Sequence, residues 1–142
     1  MSTSHYEFLE HTADVVIRGY GSDLDEAFAA AGRALFHLIT DSAEIVGRRS
    51  WSWELAADDY EGLLVGFLTE LIARFDADFE LSSDLQVRLD GSTGLKVTGK
   101  SIVYDDSRHG SGTAVKGVSY HMMEIRNATD GQQAYVQVLL DI

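Results

Sequence analysis

The run Ala134-Tyr-Val-Gln-Val-Leu-Leu-Asp-Ile142 decides the fold of this chain. Its apolar and β-branched residues predict a buried strand that ends in an acid. At the end of such a strand, the Asp141 side chain and the α-carboxylate of Ile142 would place two anions side by side. Like charges held this close require a counter-charge, and a divalent cation is the usual one.

A second acid lies near the other end of the chain, in the short polar break His11-Thr-Ala-Asp14. If the first and last strands are neighbours, Asp14, Asp141 and Ile142 share one ion. Residue spacing alone favours the simpler alternative, in which Asp14 is a turn residue and Asp141 a solvated strand end. Oxygen ligands would suit Ca²⁺ as the first choice, with Mg²⁺ or Mn²⁺ as alternatives, and a nitrogen from His11 would favour Mn²⁺.

Composition indicates one globular domain over residues 1–142, with residues 1–4 flexible. The hydrophobic fraction of 45% is sufficient for a core. The absence of Cys excludes disulfides, thiol chemistry and cysteine-ligated zinc. No leader pattern or membrane-length apolar run occurs, so we expect a soluble, cytoplasmic protein.

The net charge is −12 and the basic residues are scattered along the sequence. This pattern argues against a protein that binds nucleic acid over a wide surface, and we expect no stable nucleic-acid binding. An acidic surface instead fits a cation, a basic protein partner or simple solubility.

Apolar periodicity predicts two helices and several strands. The first helix would run from an N-cap at Ser22 to Thr40-Asp41, and the second would cover Leu63 to Phe75. The remaining apolar runs alternate as strands, and Asp130-Gly131 is a hairpin signal. The sequence therefore predicts an α+β fold, with two helices packed on one face of a mostly antiparallel sheet.

Common catalytic and nucleotide-binding motifs are absent from the sequence: it has no P-loop, no complete dinucleotide loop and no nucleophile elbow. The polar residues that remain as candidates are His11, Asp14, Asp41, Lys116, Tyr120, His121 and Asp141. Lys116 and His121 are five residues apart, so a regular strand would send them to opposite faces unless a bulge intervenes.

Several sequence motifs, in their order along the chain, resemble those of the archease family. They are Tyr6-Glu-Phe-Leu-Glu-His-Thr-Ala-Asp-Val15, Gly19-x-Gly21, Ala34-Leu-Phe36 with Thr40-Asp41, Arg108-His109, Lys116-Gly-Val-Ser-Tyr-His121 and Asp141-Ile142. The resemblance covers Tyr6 to Ile142. Two departures are the Gly/Ser-rich segment 110–113, which is often more charged in the family, and Gly117, which is commonly Ala.

The resemblance implies an α+β protein that assists an RtcB-type RNA ligase in tRNA splicing and is not itself a ligase. Such proteins promote guanylylation of the ligase and allow multiple turnover. The resemblance also implies a metal site at Asp14, Asp141 and Ile142, with His11, Asp41, Lys116 and His121 as candidate partner or phosphate contacts. Two alternatives are a general chaperone or modulator and a small metal-dependent hydrolase.

Overall fold

The computed structural model describes residues 4–11, 14–40 and 45–142. Within these residues no helix is long and apolar enough to cross a membrane. The elements follow in chain order as β1 (His5–His11), β2 (Asp14–Gly21), α1 (Leu24–Thr40), β3 (Arg49–Ala56), α2 (Tyr60–Asp78), β4 (Glu80–Asp90), β5 (Gly94–Val103), α3 (Asp106–His109), β6 (Gly117–Arg126) and β7 (Ala134–Asp141).

The strands form two antiparallel sheets. The four-stranded sheet has the order β1-β2-β7-β6, and the three-stranded sheet has the order β3-β5-β4. The α+β class with antiparallel pairing is therefore confirmed, but the strands divide between two sheets where the sequence suggested one. Local apolar patterns identify strands without specifying which strands pair, because pairing depends on residues far apart in sequence.

The two long helices lie between the sheets. Helix α1 contacts β1, β2 and β7 of the four-stranded sheet and β4 of the three-stranded sheet, while α2 contacts β6 and all three strands of the other sheet. This placement explains why α1 is buried on most of its circumference, with Phe28, Leu35 and Phe36 in the core. We call the side of each sheet that faces the helices its inner face.

The start of α1 differs by one residue from the prediction. The side chain of Asp23, and not that of Ser22, accepts a hydrogen bond from the Glu26 amide at 2.9 Å. Glu26 in turn accepts from the Ser22 amide at 3.0 Å, so the two acids satisfy main-chain donors at the helix start. Helix α2 begins after Asp59, whose carboxylate accepts from the Gly62 amide at 2.7 Å.

Strand β6 contains a large irregularity. Ser119 pairs with Leu139 and Glu124 pairs with Gln137, so four residues of β6 lie opposite the single residue Val138. Met122 within this bulge has a positive φ of 62°. Such bulges re-aim side chains and end regular alternation.

We expect Gly19→Ala to lower the free energy of unfolding by about 1–3 kcal/mol through overpacking. An added Cβ would lie 2.5 Å from the Ala27 carbonyl oxygen and 2.7 Å from the Ala31 nitrogen, where α1 packs on β2. Denaturant titration checks the value. Gly117→Ala is the control, since its Cβ would meet nothing within 4 Å, and an equal loss in both variants would contradict the close packing of α1 on β2.

Candidate functional site

Two acids lie opposite each other at one end of the four-stranded sheet. Asp14 begins β2 and pairs in register with Asp141 at the end of β7. Their neighbours Val15 and Leu140 are fully buried on the inner face. Because side chains alternate along a strand, both carboxylates project from the outer face. Asp14 is half-buried and Asp141 is exposed.

The same end of the sheet includes β6 and the residue after β7. Gly117 pairs with Asp141 from the other side, and the Lys116 amide donates to the Asp141 carbonyl oxygen at 2.7 Å. The Ile142 side chain is partly buried against the core. This anchoring holds the main-chain oxygens of Ile142 next to Asp141.

The arrangement of Asp14 and Asp141 is unfavourable without a counter-charge. Like charges directly opposite on an antiparallel pair repel, at a cost of roughly 0.2–1 kcal/mol. The available donors are carboxylate and main-chain oxygens, which suit a hard cation such as Ca²⁺. Among the described residues no group of three or more His, Cys, Asp or Glu side chains comes together, and the Ile142 main chain adds oxygens beside the two carboxylates. The donor set therefore fits a hard divalent ion by its chemistry.

Of two predicted contact residues, the structure describes the main chain of His11 and does not describe Asp41. The main chain of His11 ends β1 and pairs with Val15, the residue that follows Asp14. Nothing is described of the His11 side chain, and Asp41 lies outside the described residues. Their roles remain predictions from the family resemblance.

Lys116 and His121 both have exposed side chains. The main chain of Lys116 lies beside the acid pair. His121 lies within the β6 bulge, where its amide donates to the Ser119 hydroxyl at 3.0 Å. The bulge removes the regular alternation on which the opposite-face argument depended. Tyr120 in the same bulge is 61% exposed, so it is not a core residue.

A polar network on the same outer face was missed by sequence reasoning. Gln137 is only 4% exposed, and its side-chain oxygen accepts from Arg18 Nε at 3.1 Å and Nη2 at 2.5 Å. Its Nε2 donates to the Met122 carbonyl at 2.8 Å. Gln137 thus fixes the β6 bulge to the centre of the sheet. A Gln within an otherwise apolar buried strand was the available sequence signal.

Tyr135 extends this network along the sheet. The Arg18 guanidinium lies 4.3 Å from the Tyr135 ring centroid, a cation–π contact. The Tyr135 hydroxyl donates to Glu124 at 2.6 Å. This hydrogen bond to an acid is the main cause that raises the pKa of Tyr135.

The buried His109 side chain holds the local main chain in place. Its Nδ1 accepts a hydrogen bond from the Asp105 amide at 3.0 Å, which closes the short helix α3. The following segment packs on the end of α1, where the Thr113 amide donates to the Leu38 carbonyl at 2.8 Å. An added Cβ on Gly112 would lie 2.4 Å from the carbonyl oxygens of Leu38 and Ile39. This close approach gives a physical reason for glycine in segment 110–113.

This chain is similar to known proteins over nearly its whole length. A family model described as the Archease protein family matches residues 6–142. "Protein archease" of Pyrobaculum neutrophilum is 38% identical over 141 residues, which cover 96% of this chain and 95% of the relative. "Protein archease" of Thermococcus gammatolerans is 35% identical over 130 residues, covering 89% and 92%.

Two solved structures are also similar. The solution structure of Methanobacterium thermoautotrophicum protein 1598 superposes with a TM-score of 0.75 at 31% identity, covering 96% of this chain and 98% of that one. The crystal structure of a Thermotoga maritima protein described as an archease and possible chaperone gives a TM-score of 0.56 at 18% identity, covering 96% of both chains. The second similarity supports the fold alone.

We expect Gln137→Leu to lower the free energy of unfolding by about 1–3 kcal/mol, because Arg18 Nε and Nη2 lose their acceptor and the Met122 carbonyl loses its donor. Thermal unfolding measures this loss. Tyr135→Phe is the control, since it deletes one exposed hydrogen bond to Glu124 and keeps the ring under Arg18. A loss of stability in Gln137→Leu no larger than that in the control would contradict the role of Gln137 in fixing the β6 bulge to the sheet.

Proposed function

Because this chain belongs to the archease family, we propose that it is a non-catalytic accessory protein of an RtcB-type RNA ligase in tRNA splicing. In this role it promotes guanylylation of the ligase and allows multiple turnover. The observation that carries the proposal is the pair Asp14 and Asp141, which β2 and β7 hold in register at an accessible end of the sheet.

The proposed ion site consists of the Asp14 and Asp141 carboxylates and a main-chain oxygen of Ile142. Ca²⁺ is the first choice, with Mn²⁺ and Mg²⁺ as alternatives that the same oxygens accept. A bound divalent ion would supply positive charge to neutralise the acid pair and nearby phosphate oxygens. The two strands fix the carboxylates before any partner arrives, so little ordering entropy is lost on docking.

The surroundings of the acid pair support a docking surface. Lys116 is exposed beside Asp141, and the β6 bulge presents the exposed side chains of Tyr120, His121 and Met122 along the same strand. Aromatic and Met side chains are enriched at protein interfaces. Lys116 would meet an acid or a phosphate, and Gln137 would keep the bulge in place for contact with the ligase.

We expect Asp141→Asn to be more stable than the wild type without metal and to gain less stability than the wild type when metal is added. In chelator, the variant should be more stable by roughly 0.2–1 kcal/mol, because one of two opposed charges is removed. With Ca²⁺ at about 100 times its Kd, the wild type should gain about 2.7 kcal/mol and the variant much less. Thermal unfolding with and without Ca²⁺ measures both effects, and equal Ca²⁺ stabilisation of both proteins would contradict the proposed site.

We expect the wild type to accelerate guanylylation of a cognate RtcB-type ligase, and Asp14→Asn or Asp141→Asn to lose that acceleration while remaining folded. Incorporation of labelled guanylate into the ligase is the measurement. Asp58→Asn is the matched control, because Asp58 is an exposed acid just before α2. A version with residues appended after Ile142 tests whether the α-carboxylate of Ile142 takes part, because the extension turns that carboxylate into a peptide bond. Full acceleration by either acid variant would contradict the proposal.

A further inference from the structure

The outer face of the three-stranded sheet collects basic residues that are scattered in the sequence. Lys96 and Lys100 lie on the central strand β5, and Arg88 lies beside Lys96 on β4 in register. Arg48 directly precedes β3, and its amide donates to the Ser101 carbonyl oxygen at 2.9 Å. Arg49 pairs with Ser101 in an inner-face row and is not counted. The other four side chains are exposed. We call this surface the basic face.

Among the described residues, the cations of the basic face form no close ion pair. The ion pair within the described part of the chain is Arg74–Glu70, and none of the four side chains of the basic face hydrogen-bonds to another described residue. Glu54 lies in register beside Lys96. Lys96 and Lys100 are four residues apart on one strand, or about 13 Å at the usual rise. They therefore present separate cations along one line and do not compete for a single anion.

The basic face contrasts with the rest of the molecule. The segments 48–56, 80–90 and 94–103 carry five cations and four anions, whereas the remaining chain carries six cations and nineteen anions. A near-neutral sheet with a row of exposed cations stands out from an otherwise strongly acidic protein. Electrostatic attraction would therefore orient a polyanion toward this sheet and away from the other surfaces.

Neutral hydrogen-bonding groups lie between the cations. Ser50 pairs with Lys100, and the next register row is Ser52, Thr98 and Gln86. These side chains line an open depression of about 770 Å³, together with Asp84 and the pair Trp51–Gly99. Trp51 belongs to an inner-face row, where its ring stacks on Trp53. Hydroxyl and amide groups beside Lys and Arg are the side chains that contact phosphate oxygens in nucleic-acid complexes.

On the outer face, the register rows run from Ser50–Lys100–Ser83 to Glu54–Lys96–Arg88. These rows contain no apolar or aromatic side chain. A protein partner usually needs an apolar or aromatic centre, and base stacking needs aromatic rings. Interfaces with nucleic-acid backbones are polar and positively charged. The composition of the basic face therefore favours phosphate contacts over a protein docking site or base readout.

We propose that the basic face binds the phosphate backbone of RNA without reading its bases. Glu54 and Asp84 interrupt the positive field, so binding is weak and sensitive to salt. Such contact differs from the stable nucleic-acid binding that the composition argues against. The charges and polar groups of this sheet alone would hold the RNA, and the contact does not depend on activation of a ligase.

The test is fluorescence anisotropy of a labelled mixed-sequence RNA with the purified full chain, between about 50 and 200 mM salt. Lys96→Gln/Lys100→Gln should bind several-fold more weakly than the wild type. Loss of two phosphate contacts should also reduce the slope of log K against log salt by about 1.4. The matched control is Arg108→Gln/Arg126→Gln, which removes the same charge from exposed positions outside the basic face and should bind as the wild type does.

Three outcomes would overturn the inference: no RNA binding by the wild type, equal weakening in both double variants, or equally effective competition by polyglutamate at the same charge concentration. Guanylylation of the ligase without RNA provides a separate readout. Lys96→Gln/Lys100→Gln should retain it, while Asp141→Asn should lose it and still bind RNA. Failure of the basic face is therefore distinguishable from failure of the proposed function.

Discussion

The pairing of β2 with β7 is the constraint on which the rest of the structure depends. It runs through eight register pairs, from Asp14–Asp141 to Gly21–Ala134, and joins parts of the chain more than a hundred residues apart. On its inner face the pairing buries Val15, Ile17 and Leu140 completely. Burial of such side chains contributes roughly 1.5–3 kcal/mol each. A shift of one residue would exchange the two faces, so this register is strongly specified.

The outer face of the same two strands carries the proposed function. The register that places Val15 opposite Leu140 in the core also places Asp14 opposite Asp141 outside it. The repulsion between these acids is a modest cost against the burial on the other face. A stable sheet can therefore hold two carboxylates in an unfavourable arrangement that a cation relieves. The Gln137 network secures β6 on the same scaffold.

Local patterns allowed part of this structure to be predicted. Periodicity identified both long helices, and Asp130-Gly131 marked a real turn, with Gly131 at φ 80°. Proximity of Asp14 to Asp141 was predicted on the assumption that the first and last strands are neighbours. The neighbour of β7 is instead the second strand, β2, which Asp14 begins. The separate second sheet, the β6 bulge and the basic face could not be predicted, because each depends on register between distant segments. The hydrogen-bonding role of Gln137 likewise depends on where the β6 carbonyls lie.

The most direct measurement of the central claim is NMR line broadening by Mn²⁺ added below one equivalent. We expect the amide signals of Asp14, Gly117, Asp141 and Ile142 to broaden first, because the strands bring these residues to one end of the sheet. Signals from β3, β4 and β5 should remain sharp at the same ratio. Uniform broadening, or selective broadening at another acidic surface, would contradict the claim that this cross-strand acid pair is the cation site.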